Sequence, residues 1–387
     1  MANKSRKAIL GLPLKVIFNE SGVSFFINNN KKLNRFTTAD GTERYGILLK
    51  QFSPASLQQM MMIGYIARIE VTRSDFTSCR SDLMDLSKLI TYGYLYKSFN
   101  EEVTKIVMES ETIKTWNRNN PGSSIDHKTK VNDGATKQIL DNSKSVINDT
   151  KKSILKGLTR RISQNNALQA DEKNIFIFLS EKFLDNLPPF IWFLLVKFAS
   201  SFEWDTVYVD IQTTLEQFLN KSRIAEYLAL MHMELCLSAE SRNMKKFVDE
   251  KYRGAVSYES LVYDPEKREK LIASMEESGE VISTAWKIGS RTDSSIGTEK
   301  KLEVVVYNKG AETIELRDKV NQKLHSSADD TSLSQFYQDS DNPTAAMGLN
   351  YLTYLLEECE AAGIRFSSRV NDMGEGRSYL VLALQFN

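Results

Sequence analysis

Residues 117–138 constrain the fold more than any other part of the chain. This stretch is rich in Asn, Gly, Ser, Lys and Asp and is broken by Pro121-Gly122 and Asp133-Gly134. No helical or strand periodicity of apolar residues runs through it, so a single core cannot continue across it. With 387 residues and 41% hydrophobic side chains, the chain has material for more than one core. The expected class is α+β.

Ahead of the break, residues 14–18 and 23–28 are β-prone, and Asn19-Glu20-Ser21-Gly22 between them has the composition of a hairpin turn. A third strand is predicted over 45–52. Helical spacing follows from Leu57 through Val107. Residues 1–116 therefore read as a small α+β domain. Residues 117–170 read as the polar linker and an amphipathic helix over 139–162, whose apolar residues fall near a seven-residue repeat. Its charged residues are Lys144, Lys151, Lys152, Lys156, Arg160 and Arg161 against Asp141 and Asp149. A basic amphipathic helix suits a membrane surface, an acidic partner or a second copy of itself. Residues 171–220 read as strand, helix, strand, with strands at 175–179 and 207–211. That segment faintly resembles the STAS-type modules found beside regulatory kinase-like domains in bacteria.

Equal numbers of basic and acidic residues, 50 of each, give no whole-chain field to attract nucleic acid or anionic membrane. The longest apolar run, 190–196, is far short of the ~20 residues a transmembrane helix needs. Cys79, Cys236 and Cys359 are too far apart for a disulfide scaffold or a CxxC pair, which fits a reducing compartment and a cytoplasmic chain. No phosphate loop, dinucleotide fingerprint, zinc helix or nucleophile elbow occurs. His127, His232 and His325 are widely spaced, so a histidine metal site would need distant convergence.

One region carries an ordered set of parts. A helical pattern over 224–248 contains Glu234-Leu235-Cys236-Leu237-Ser238-Ala239. Strands are predicted at 281–288 and 302–307, the second running into Asn308-Lys309-Gly310. After a polar segment, Ala346-Met347-Gly348-Leu349-Asn350-Tyr351 opens a helix over 352–362. Two closing antiparallel strands then flank Gly374 and Gly376. This order resembles the GHKL superfamily, the ATP-binding fold of sensor histidine kinases, anti-sigma kinases, gyrase-type topoisomerases and MutL-like repair proteins. The resemblance covers residues 221–387 and implies an α/β sandwich, a mixed sheet covered by helices.

The resemblance makes Glu234 the catalytic carboxylate. Ser238 stands where the family has a magnesium-binding Asn, and Asn308 stands where an Asp takes the adenine amino group, with Gly310 completing that triplet. Gly348 and Leu349 occupy the second glycine box. Each replacement weakens nucleotide chemistry. Asn308 accepts without a carboxylate's charge, Ser238 is a poorer magnesium ligand, and Cβ atoms at 346 and 350 obstruct phosphate approach. The expected function is thus a cytoplasmic, bacterial-type regulatory protein. Its GHKL-like domain, a pseudo-ATPase or pseudokinase, serves protein interaction or sensing, with no resident cofactor. The alternatives are a divergent active ATPase or anti-sigma-type kinase using ATP and magnesium, and a membrane- or nucleic-acid-associated scaffold acting through 139–162. The expected partner is a protein, with self-association through 139–162.

Overall fold

The computed structural model describes residues 11–126, 129, 133–166, 168–201, 204–293, 297–309, 317–318, 320–322, 343–374 and 377–386. Of these, 133, 135, 290–293, 297–299, 309 and 343–350 are described by backbone alone. His127, Gly310, His325 and Gly376 lie outside the described residues. The class is α+β.

Strand β1 (Leu14–Phe18) forms where expected, but the next element is helix α1 (Glu20–Asn28), not the second arm of a hairpin. Asn19 decides this: its Oδ1 accepts from the Gly22 N–H at 2.8 Å, an N-cap that starts a helix. Strands β2 (Asn34–Thr37) and β3 (Glu43–Leu49) make the hairpin instead, followed by α2 (Pro54–Ile63) and β4 (Ile66–Arg73). At Gly46, β3 passes so close to β1 that an added Cβ would lie 2.1 Å from the Val16 carbonyl oxygen.

Chain contacts divide the protein into two units, residues 1–94 with 223–387 and residues 95–222, rather than at 116, 170 and 220. In the first unit, β4 pairs with β5 (Ile282–Asp293), which forms a hairpin with β6 (Gly297–Lys309). Strands β7 (Ile364–Gly374) and β8 (Arg377–Phe386) complete an eight-stranded sheet in the order β2-β3-β1-β4-β5-β6-β8-β7. Every described pairing is antiparallel, so the sheet is not the mixed one the resemblance implies. The N-terminal and C-terminal strands thus belong to one sheet, where the sequence suggested separate domains.

One sheet face carries Ala285, Val305, Tyr307, Val381 and Ala383. Arg68, Glu70 and Lys287 share that face by register. There Asp40 Oδ2 accepts from Arg68 at 2.6 Å and Lys287 at 3.1 Å, while its Oδ1 accepts from the Thr38 and Thr42 hydroxyls at 2.6 and 2.8 Å. Burial alone would raise the Asp40 carboxyl; the threonine hydrogen bonds and the Arg68 charge outweigh it and hold the group well below the usual carboxylate range. A depressed carboxylate stabilises the fold above its unfolded value and loses that contribution as pH falls. The gap in denaturant midpoint between wild type and Asp40→Asn is therefore widest near neutrality and narrows below about pH 4. A gap constant from pH 7 to pH 2 contradicts this.

Residues 95–222 are helical throughout their described secondary structure: the end of α3 (Arg80–Glu109), then α4 (Glu111–Asn119), α5 (Asp133–Asn142), α6 (Lys144–Gln164), α7 (Ala170–Asp185), α8 (Pro189–Lys197) and α9 (Trp204–Ser222). The strand-helix-strand reading of 171–220, and with it the STAS likeness, is overturned. Residues 175–179 look strand-like locally, but the Glu172 carboxylate caps the Gln169 N–H at 2.9 Å. Leu179, Phe183 and Leu184 then bury at helical spacing. Residues 207–211 likewise belong to a stripe of Trp204, Val207, Ile211, Leu215, Phe218 and Leu219. Phe218 stacks on Tyr96 at 5.0 Å and meets Phe183 at 5.0 Å.

The basic helix is split at Ser143 into α5 and α6. The apolar stripe of α6, Ile154, Leu158 and Ile162, is buried within its own unit, where α6 packs on α7 and α9. Lys151 pairs with Asp185, and Arg161 with Glu216. The stripe expected over 139–162 is thus covered at Ile154, Leu158 and Ile162, while Ile139 and Val146 are exposed. No helix among the described residues is long and apolar enough to cross a membrane.

Candidate functional site

Four more helices are described in the first unit: α10 (Ile224–Tyr252), α11 (Tyr258–Val262), α12 (Pro265–Glu277) and, after β6, α13 (Pro343–Ala361). The helix predicted over 224–248 and the two closing strands stand in the expected order. Gly363, at φ +66°, breaks α13 and turns the chain into β7.

Helix α10 lies on the sheet face opposite the Asp40 cluster. Its His232 Nε2 sits 2.5 Å from Thr284 Oγ1, and the ring meets Trp286 edge-on at 4.8 Å. Burial pushes the imidazole down to about 3, so it is neutral at physiological pH. Thr284 is paired with Val306 and Trp286 with Val304, which places Val304, Val306 and Asn308 on this same helix-covered face. Asn308 is 7% exposed, and neither Oδ1 nor Nδ2 has a hydrogen-bond partner among the described residues. Buried amides are ordinarily satisfied, so a doubly orphaned one marks a place where something else can bind.

The sheet-facing line of α10 runs His232, Cys236, Ala239, Asn243, at spacings of four, three and four. Cys236 Sγ lies 3.6 Å from His232 Nε2, and burial pushes its thiol up. Asn243 is 5% exposed, and its amide too has no partner among the described residues. From Trp286 towards Thr284 the line advances with β6, so Asn243 and Asn308 lie towards the same end of the sheet. Helix α13 packs alongside α10, and Arg223 pairs with Glu358 at 3.4 Å, joining the start of α10 to the last turns of α13. The two helices are thus antiparallel, and the first turns of α13 point to the Asn308 end.

Not all expected site residues meet there. Glu234 sits about 160° around α10 from His232, at about 100° per residue, and faces away from the sheet. It is half-buried; burial raises its carboxyl, offset in part by Arg80. Ser238 sits about 120° from His232, and its carbonyl accepts from Arg242 Nε at 3.2 Å. Gly348 and Leu349 do not open a helix at 352: the backbone is already helical from Pro343, so they lie in its second turn. Proline at the first helical position followed by Ala345 and Ala346 explains the earlier start.

Sequence reasoning missed Asn243 and Glu240. Asn243 was visible as a polar residue on a four-three-four apolar stripe. Glu240 gave no signal, because its partners come from distant segments. Its Oε2 accepts from the Phe76 and Thr77 N–H groups at 2.6 and 2.9 Å, and its Oε1 from the Thr77 hydroxyl at 2.7 Å. Arg268 Nη2 bridges Glu240 Oε1 at 2.6 Å and Asp75 Oδ1 at 2.5 Å. Burial, reinforced by the nearby Asp75 charge, raises Glu240. For Asp75, burial is outweighed by hydrogen bonds from Ser78 and Arg268, and its carboxyl is lowered. Among the described residues, no group of three or more His, Cys, Asp or Glu side chains is placed to hold a metal ion.

No solved structure matches the chain. A protein of Treponema pallidum (strain Nichols), described as an uncharacterized protein, is 35% identical over 373 residues, covering 96% of this chain and 96% of the relative. The family of unknown function DUF8084 matches residues 5–387, and the chain belongs to that family.

Proposed function

We propose that the chain is a cytoplasmic regulatory protein of bacterial type whose helix-covered half-sheet is a GHKL-like sensing module. It binds a purine nucleotide without turning it over and passes the bound state to a protein partner. The observation that carries this reading is Asn308: a buried amide at the end of β6 whose donor and acceptor have no partner among the described residues. A carboxamide offers both complements to the edge of a purine base. Binding without turnover follows from α10. Its line facing the sheet holds no carboxylate, Glu234 points away, and Glu240 is consumed by the 76–77 backbone and Arg268. Among the described residues, none on that line fits magnesium.

Thermal unfolding of the full chain tests the reading. Adenosine, ADP and ATP raise the melting temperature, by an amount equivalent to about 2.7 kcal/mol at a hundredfold excess over Kd. In Asn308→Leu that shift is lost while the unliganded melting temperature is equal or higher, because an orphaned buried amide is costly and an apolar group of similar size is not. A merely structural Asn308 would instead lower the melting temperature on substitution. No shift with any nucleotide sinks the proposal, and magnesium-dependent phosphate release sinks its non-hydrolysing half.

A further inference from the structure

The other face of the sheet holds a cleft of about 650 Å³ that the nucleotide reading does not use. Its floor is apolar: Ile17, Phe18, Val23 and Ala67. Its charged lining is balanced, with Glu20, Asp40 and Glu43 against Arg44, Arg68 and Lys287. Most of these charges are spent within the protein. Asp40 holds Arg68 and Lys287, and Glu43 pairs with Arg35. Two are not: Glu20, in the first turn of α1, and Arg44, in β3, have no ion pair among the described residues. Lys287 adds a third resource, since an ammonium has three donors and Asp40 and Tyr307 occupy two of them.

We propose that this cleft binds a short peptide with free termini. The two unspent charges lie on different elements lining one cavity and are opposite in sign, which suits a zwitterion better than a simple anion or cation. Arg44 offers a planar fork to a terminal carboxylate, and the remaining Lys287 proton supports the same group. Glu20 receives the terminal ammonium, and the peptide body covers Ile17, Phe18 and Val23. The volume lies within the range of small-ligand sites, roughly 300–1,000 Å³, and exceeds what a single amino acid fills. The charged lining is preformed, because Asp40 accepts from the side chains of Thr38, Thr42, Arg68 and Tyr307 and also holds Lys287.

Calorimetric titration of the full chain with the tripeptide Ala-Phe-Ala, its N-acetyl form and its C-terminal amide tests this. The free tripeptide binds, and blocking either end weakens binding about tenfold or more. Glu20→Gln removes the penalty for acetylation but not for amidation, and Arg44→Gln does the reverse. Both positions are exposed, so the variants fold. Three results overturn the proposal: no binding of the free tripeptide, equal binding of the blocked forms, or displacement of the tripeptide by inorganic phosphate. Because the cleft is on the opposite face from Asn308, Asn308→Leu leaves tripeptide binding intact, and the two proposals fail separately.

Discussion

Glu240→Ala lowers the stability of the first unit by about 3–5 kcal/mol, the range for breaking a buried, hydrogen-bonded ion pair from one side. The substitution does more than delete a charge. It strands the Phe76 and Thr77 N–H groups, which point at Glu240 from a segment that makes no strand, and each orphaned buried donor costs about 1–3 kcal/mol. Arg268 retains Asp75, so the guanidinium is not left alone, and this keeps the loss from growing further. Glu240→Gln, which keeps an acceptor for the backbone N–H groups, loses distinctly less. Urea unfolding of the full chain, followed by far-ultraviolet circular dichroism, measures both. A loss under about 1 kcal/mol for the alanine variant would mean that the 75–77 segment finds other partners.

Trp286→Ala costs a similar amount, about 3–5 kcal/mol, by a different mechanism. Trp286 is wholly buried in β5, opposite Val304 and against the edge of His232. Its indole N–H has no partner among the described residues, so truncation orphans none of their hydrogen bonds; the loss comes from apolar contact and from the void left between sheet and α10. Trp286→Phe, which refills most of that void, recovers the larger part. Of the four tryptophans only Trp286 is in the first unit, so its fluorescence in wild type follows that unit's unfolding. Equal losses in the Ala and Phe variants would refute a packing origin.

The α+β class and the run of α10, β5, β6, α13, β7 and β8 were legible because each element carries a long, unambiguous period. Short apolar runs were not. Residues 23–28, 175–179 and 207–211 are equally compatible with a strand until a cap such as Asn19 or Glu172, or the next turns of an apolar stripe, settles the matter. The joining of β4 to β5 was invisible for a different reason. Nothing local in Arg73 says that it will face Ile282. At the candidate site, Asn308 was named through the GHKL resemblance, whose D-x-G triplet follows a hydrophobic strand. Glu234 and Ser238 were named through the same resemblance, and a matched motif does not say which side of α10 faces the sheet.

The β4–β5 pairing also sets a timetable for the newborn chain. Arg73 has left the ribosome long before Ile282 exists, and at ~5–20 residues per second the interval is roughly 10–40 s. Throughout it β4 is an open edge with unpaired N–H and C=O groups, a template for aggregation. Residues 95–222, by contrast, are complete before β5 is made and can fold while the first sheet waits. Expression yield therefore depends on what shields β4 in that interval, and a chaperone with affinity for exposed strands would act on the first ninety-four residues rather than on the finished protein.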